Sequence, residues 1–526
     1  MGERIMDLIQ GLKKRISINN SWQLSMRSLI ITLLSGFLAY HLLVIHEFTN
    51  PDGICEGLTF YTNGDWALAG CGRWAIRYMN EMTCNIVMPL FVVAMYCLCI
   101  WLSIVLLSKL WKFSDSAVVV LSIILISTPA VAEQLTYTYT ALAYAYSCLL
   151  SVLFVYLAFR CNCKAGMIGG TLCVTVMLGL YQSYVGMVAV LVFMTIILEL
   201  LESKKIKSIL ISFVVCAVSA LLGCFFYSKI LEWDMTRRGL DNSGTRVSQF
   251  NFTEIFEKLS ESVEYAYFKY FTILRNDFMH RNVLYWIIVI LLVGCLLVNI
   301  LKLMQTKMYG RTLSIIVLII LIPLASNLIG VLVPYNGLDT YMQYQTIMLV
   351  PFMLACVWKC KDYNLGRIVQ AGATLLVFVL AWTFIIASNA TYRCYELSYK
   401  HINSQMQIAV TRVYDLDDYI MDKTPILIAG FPDDAILRNN MDIYQYAENF
   451  YTNPAFWTDM HGATQNRYLY FMNYFGIDAK TFSDDEYAAI INTPQFAEMP
   501  VWPEKGSVAM IDGFAVVKFT EEPPMP

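Results

Sequence analysis

About eleven separate runs of apolar residues recur along this chain, each long enough to cross the roughly 30 Å hydrocarbon core of a bilayer as a helix of roughly 17–25 residues. They fall near 28–46, 84–108, 117–132, 139–159, 165–183, 185–202, 208–228, 283–301, 312–333, 341–358 and 367–387. Lipid offers no hydrogen-bond partners, so a crossing segment must satisfy its backbone N–H and C=O groups internally, as a helix does. The pattern predicts a polytopic α-helical membrane protein with about eleven transmembrane helices. A composition of 58% hydrophobic and 15% charged residues over 526 positions fits that class and no ordinary soluble domain. The first run has no small-residue cleavage site after it and is expected to persist as a helix. A net charge of −3, with no basic stripe carrying interleaved aromatics, argues for the lipid bilayer and against nucleic acid as a partner.

The positions of Lys and Arg in the short loops set the expected orientation, because acidic residues contribute little to it. Residues 1–27 carry Arg4, Lys13, Lys14, Arg15 and Arg27. Alternate loops repeat the bias through Lys109 and Lys112, Arg160 and Lys164, Lys204, Lys205 and Lys207, Lys302, Lys307 and Arg311, and Lys359, Lys361 and Arg367. The short loops between them, around 133–138, 184 and 334–340, carry none. The N-terminus is therefore expected in the cytoplasm and the tail outside, across a plasma membrane. Ile5, Leu8, Ile9, Leu12 and Ile16 recur at helical spacing beside Lys13, Lys14 and Arg15, which predicts an amphipathic helix over 1–27 lying in the cytoplasmic interface. A transmembrane unit over 28–387 follows, with long outer segments at 47–83 and 229–282. Within the second, residues 253–271 read as a helix on the outer interface. The tail, 388–526, changes character: "KTPILIAGFPDD" and "KGSVAMIDGFAVVKF" read as short strands with turns, so a small extracytoplasmic α/β domain is expected there.

Polar chemistry collects on the outer side. The stretch "NPDGICEGLTFYTNGDWALAGCGRW" places Asp52, Glu56, Asp65 and Arg73 between two spans. A carboxylate just beyond a transmembrane helix, held against apolar surface, has its charged form disfavoured and moves toward the range of a general base. Arg suits phosphate, because its planar fork donates two parallel charge-assisted hydrogen bonds. An ordinary solvated loop accounts for the same charges equally well. Other outer groups are Glu133, then Tyr181, Gln182 and Tyr184 in "GLYQSYVG". "MTRRGLDNSGTR" adds Arg237, Arg238 and Arg246 beside Asp241, and "VPYNGLDTYMQYQ" adds Tyr335, Asn336, Asp339 and Tyr344. An interfacial aromatic belt explains the tyrosines taken singly. It does not explain three arginines spaced by Asn and Gly, which read as an anion site. His41 and His46, in the outer part of the first span, fit hydrogen-bonded structure better than proton transfer. Most of the fifteen Cys lie inside spans; Cys55 and Cys71 are placed to pair in an oxidising compartment. No HExxH, paired CxxC, phosphate-binding Gly-rich loop or nucleophile elbow occurs, and the inner loops are too short to hold a nucleotide.

The acidic first outer loop, "GDW" and "GRW" within it, "YQSYVG" downstream and the closing "GSVAMIDGFAVVKF" together resemble the bacterial membrane glucosyltransferase type II family, which performs serotype conversion of O-antigen. That family is similar to the GT-C class of polytopic glycosyltransferases. The resemblance implies a GT-C-like fold, a polyprenyl-phosphate sugar as donor and a cell-surface glycan or glycolipid as acceptor. It implies a catalytic or metal-binding acid in the first outer loop, best matched by Asp52, with Glu56 and Asp65 as rivals. The family places two acids side by side there, whereas "PDGICE" has one and a second four residues on, so the base stays open among the three. On this reading Arg73, or Arg237, Arg238 and Arg246, hold the donor phosphate. Glu133, Tyr181, Gln182, Tyr335 and Asn336 line the substrate site, and Asp52 with Glu56 would be the ligands if Mg2+ or Mn2+ takes part. A flippase for lipid-linked sugars, or a glycan polymerase or ligase, are the alternatives. Visible repeats and mid-bilayer charges, which a transporter fold often shows, are missing from the sequence.

Overall fold

The computed structural model describes residues 2–49, 53, 61, 71–240, 263–264, 266–267, 281–332, 340–359, 366–421, 423–430, 432, 442–444 and 482–523. For 2–23, 281–282, 285, 331–332 and 340 it describes the backbone alone. The helices are α1 (Gly2–His46), α2 (Trp74–Glu81), α3 (Pro89–Trp111), α4 (Asp115–Ile124), α5 (Pro129–Thr136), α6 (Ala141–Arg160), α7 (Cys163–Leu180) and α8 (Val185–Leu201). They continue with α9 (Ile206–Arg238), α10 (Arg281–Gln305), α11 (Tyr309–Ser326), α12 (Leu328–Leu332), α13 (Leu349–Lys359), α14 (Gly366–Tyr414), α15 (Asp484–Ile491) and α16 (Pro494–Glu498).

Among the described residues, nine helices are long and apolar enough to cross a membrane: α1, α3, α6, α7, α8, α9, α10, α11 and α14. Their boundaries follow local chemistry. Pro89 opens α3 at a position whose N–H would have no partner in any case. Asn162 caps α7 by accepting from the Ala165 amide at 2.9 Å, and Gly239, at φ +68°, ends α9 in the left-handed region. Residues 2–27 are helical as expected, but no break separates them from the first span, and α1 runs on to His46.

Two of the eleven expected spans take another form. The third is a pair of short helices, α4 and α5, bent by 42°. Pro129 has no N–H to bond back into α4, and Thr128 restarts the chain by accepting from Val131 N at 3.4 Å. The break leaves carbonyls just past the end of α4 without helical partners inside the protein. The Tyr344 hydroxyl donates to Leu125 O at 3.0 Å, and the Tyr40 hydroxyl donates to Ile126 O. The tenth begins as a 3-10 turn at Tyr344–Met348 and becomes α13, only 11 residues long.

Small residues let α6, α7 and α9 approach one another. A Cβ on Gly170 would lie 3.0 Å from Ser219, and one on Gly223 would meet Val174 at 2.6 Å. One end of the bundle is joined by ion pairs. Glu199, buried, accepts from Arg160 at 2.8 Å and Lys204 at 2.5 Å, while Glu202 lies 2.7 Å from Lys359 and 3.3 Å from Lys112. The opposite end is rich in tyrosine.

The 49-residue α14 continues past its apolar part to carry a small three-stranded sheet. The strands are β1 (Ile426–Ala429), β2 (Val508–Ile511) and β3 (Phe514–Lys518), in the order β1-β3-β2. β1 runs parallel to β3 with Leu427 opposite Val516, and β2 runs antiparallel to it with Ala509 opposite Val516. Asp512 and Gly513 turn between β2 and β3, both at positive φ as a two-residue hairpin requires. Alternation along the strands sorts the faces. Ile426, Ile428, Ala515 and Val517 pack on Ile402, Met406, Val410 and Val413 of α14, while Leu427, Ala429 and Val516 pack under Tyr487 and Ile490 of α15 and Phe496 of α16. The strands read from the sequence are therefore present.

Candidate active site

The tyrosine-rich end is organised around the short segment that enters α2. Gly72 turns the chain at φ +67°, and Arg73 then occupies the N-cap of α2. Two side chains hold the carbonyls just before it. Gln182 donates its Nε2 hydrogens to Cys71 O at 2.7 Å and to the Tyr227 hydroxyl at 3.1 Å, and that hydroxyl donates to Gly72 O at 3.0 Å. On the other side of Arg73, Trp74 fits only because position 179 is glycine, since a Cβ there would lie 2.4 Å from the indole. Farther along α2, the Tyr78 hydroxyl donates to Asp234 Oδ1 at 3.3 Å. Asp234 is buried on α9 and also accepts from Arg238 Nε at 3.2 Å.

The Arg73 guanidinium lies over the Tyr181 ring, 4.4 Å from its centroid. Tyr181 meets Tyr144 edge to face at 4.6 Å and 83°, Tyr144 reaches Tyr341 at 6.2 Å, and Tyr341 lies 4.8 Å from Tyr137. In the other direction Tyr181 leads to Tyr184 at 6.2 Å and Tyr184 to Tyr344 at 6.5 Å. A cation over an aromatic face is held by the ring's quadrupole, and the guanidinium keeps its proton at any physiological pH. No carboxylate among the described residues pairs with Arg73, and its buried Nε has no hydrogen-bond partner. A half-buried permanent cation with a vacant donor has the charge and the free hydrogen to hold an anion.

The motif "YQSYVG" now divides into separate tasks. Tyr181 supports Arg73 and Gln182 holds the preceding loop. Ser183 Oγ donates to Met342 O at 3.1 Å, fixing the segment that carries Tyr341. Tyr184 joins the buried amide of Gln134, whose Oε1 accepts from Tyr96 and whose Nε2 donates to Tyr341 O at 2.5 Å and to Tyr184 at 3.3 Å. Gly186 admits the end of α11, because a Cβ would lie 2.9 Å from Ser326 O and 3.1 Å from Ala325 O.

Residues 42–356, more than half of the chain, match the family described as Glucosyl transferase GtrII. The chain belongs to that family. No curated protein and no solved structure matches it. As a GtrII-family protein it is a glycosyltransferase, and its long apolar helices make it a multi-pass membrane protein. The matched segment contains Arg73 and the whole tyrosine chain and stops within α13, so α14 and the sheet lie outside it.

The site residues expected from the sequence separate into groups. Arg73, Tyr181 and Gln182 come together. Arg238 is paired with Asp234, and Arg237 is exposed with its guanidinium 5.5 Å from the Trp233 ring. Glu133 is buried on α5, where its carbonyl accepts from Thr136 Oγ1 at 2.7 Å. Asp52, Glu56, Asp65, Arg246, Tyr335 and Asn336 lie outside the described residues, as does nearly all of 253–271. Of the described residues nearby in sequence, Thr49 Oγ1 lies 3.1 Å from Thr138 Oγ1, and a Cβ on Gly53 would lie 3.2 Å from that same oxygen. Among the described residues no three His, Cys, Asp or Glu side chains gather as metal ligands; Asp52 and Glu56 are not among those residues. Cys71 is a buried free thiol, and Cys55 lies outside the described set. His46 Nε2 sits 3.5 Å from Glu396, which Lys400 and Arg393 also hold.

The belt reading of the tyrosines is corrected. Tyr144, Tyr181, Tyr184 and Tyr344 are each at most 2% exposed, buried between helices rather than ringed around a lipid boundary, and Tyr40 and Tyr96, which no outer motif contains, are buried with them. Tyr227, Gln134, Tyr341 and Asp234 carry no role in the reading of the sequence. The available signal was the density of hydroxyl-bearing aromatics in "TYTYTALAYAY", more than a single belt layer needs.

Proposed function

We propose that this GtrII-family protein transfers a sugar, glucose by its family, from a polyprenyl-phosphate donor to a cell-surface glycan on the outer face of the membrane, with inversion at the anomeric carbon. The observation that carries this reading is Arg73, a permanent cation seated on Tyr181 with a vacant buried donor and no described carboxylate against it. A phosphate diester fits such a site, since its charge is compensated and its oxygens accept from the guanidinium edge.

In this reaction an acceptor hydroxyl attacks the anomeric carbon as the bond from that carbon to the phosphate oxygen breaks. The hydroxyl proton passes to an outer-loop carboxylate, Asp52 or its rivals Glu56 and Asp65. The polyprenyl phosphate leaves with increased negative charge on its oxygens. Arg73 stabilises that charge more than it stabilises the donor's own, which is the condition for accelerating the step. The tyrosine chain presents ring faces and hydroxyls at the same place, a surface suited to sugar stacking. The tail domain, outside the family match, is assigned to holding the glycan acceptor.

The test is transfer of labelled sugar from polyprenyl-phosphate glucose to a panel of cell-surface glycans in proteoliposomes, comparing the wild type with Asp52→Asn, Glu56→Gln and Asp65→Asn. Loss in one variant that keeps the wild-type melting behaviour names the base. Unchanged transfer in all three removes the carboxylate mechanism.

A further inference from the structure

We infer that Gln182 and Tyr227 are positioning residues for Arg73, gripping the two peptide carbonyls that precede it rather than touching substrate. This rests on the reading of Arg73 as the donor-phosphate cation. The geometry is specific. Both hydrogens on Gln182 Nε2 are committed, one to Cys71 O at 2.7 Å and one to the Tyr227 hydroxyl at 3.1 Å. The Tyr227 hydroxyl accepts that bond and passes its own hydrogen to Gly72 O at 3.0 Å. The three bonds run in one donor-to-acceptor direction, Gln182 to Tyr227 to Gly72, with Cys71 held in parallel. Gln182 stands between α7 and α8 and Tyr227 lies on α9, so the grip ties the loop to two parts of the bundle.

The grip meets a particular need. Gly72, at φ +67°, belongs to the residue type with the widest conformational freedom, so the entry to α2 has little local stiffness of its own. Arg73 follows immediately, and among the described residues the Tyr181 face is what holds the far end of its side chain. With Cys71 O and Gly72 O released, the guanidinium would be free to slide across Tyr181 and its edge would no longer meet the phosphate at a fixed place. Orientation of this kind is a large part of what an enzyme supplies, and small displacements are costly.

The test measures donor KM and kcat in proteoliposomes of the full chain, with polyprenyl-phosphate glucose as the probe. Gln182→Ala and Tyr227→Phe are made in the wild type and again in an Arg73→Lys background. Tyr227→Phe keeps the ring and removes only the hydroxyl, so folding is least disturbed there, and melting in detergent is followed for every variant. Each single change is expected to lower kcat/KM by about tenfold in the wild type, the scale of one buried hydrogen bond. In the Arg73→Lys background the same changes are expected to have less than about a twofold effect, because residues acting through a shared partner are not additive. Equal losses in both backgrounds would overturn the positioning role alone. Wild-type kinetics for Arg73→Ala, measured alongside, would overturn the donor-cation reading, and the positioning role with it.

Discussion

At the residue scale the proposed chemistry turns on Arg73, which pairs with no carboxylate among the described residues. Arg73→Ala is expected to lower kcat/KM for transfer by about 10²–10³-fold, the usual loss when a preorganised donor to developing charge is removed. Steady-state kinetics at matched protein levels checks it. Gly186→Ala is expected to cost about 1–3 kcal/mol, because the added Cβ meets the backbone oxygens of Ser326 and Ala325, which cannot rotate away. Thermal unfolding in detergent reads that loss, and no change would mean that α11 yields at its end. Arg73, Tyr181 and Gln182 were legible in the sequence because each stands in a short polar motif within apolar surroundings. Tyr227 was not, since a lone tyrosine in a 33-residue apolar helix has the same signature whether it faces lipid or a peptide carbonyl. The pairing of Arg238 with Asp234, one turn back on the same helix, was likewise hard to see, because a linear reading counts arginines without the carboxylates the fold sets beside them.

At the element scale, apolar run length picked out the nine helices that are long and apolar enough to span among the described residues, because length and hydropathy are what lipid selects. It could not see where a run stops being one helix. The third run breaks at Thr128–Pro129, and its freed carbonyls are satisfied by phenols from Tyr40 on α1 and Tyr344 far along the chain. Tyr344→Phe leaves Leu125 O without that donor and is expected to destabilise the protein by about 1–3 kcal/mol, measurable as a lowered midpoint of thermal unfolding. The loop between α8 and α9 supplies a pH test. Burial pushes the Glu202 carboxyl up, but the hydrogen bond from Lys359 and the charges of Lys359 and Lys112 outweigh it and hold the group below its ordinary value of 4.5. A carboxylate depressed in the folded state adds stability above its ordinary value and loses it as pH falls through the lower folded value. Glu202→Gln should therefore melt slightly below the wild type at neutral pH, by less than about 1 kcal/mol for so accessible a pair, and the two should converge once the pH has fallen below the lowered folded value. A gap that persists in acid would assign the effect to packing.

For the whole molecule, the two ends differ in kind. Ion pairs of Lys and Arg with Glu199 and Glu202 join one, and the tyrosine chain with Arg73 forms the other. The proposed orientation places the first in the cytoplasm. Exposed free thiols at each end make this measurable: Cys161 and Cys163 at the first, Cys84 beside α2 at the second. A membrane-impermeant maleimide added to intact spheroplasts should modify Cys84 and spare Cys161 and Cys163 until the membrane is opened. The reverse pattern would invert the topology and move the chemistry inside. Beyond the family match, α14 extends roughly 70 Å at the usual helical rise, more than twice the hydrocarbon thickness, and its far part bears the sheet. The most direct measurement of the central claim is transfer of labelled glucose from polyprenyl-phosphate glucose to a purified cell-surface glycan in proteoliposomes, wild type beside Arg73→Ala. The account predicts glycan labelling by the wild type and its near loss in the variant. Movement of the lipid-linked sugar across the bilayer with no labelled glycan, equal in both proteins, would contradict it.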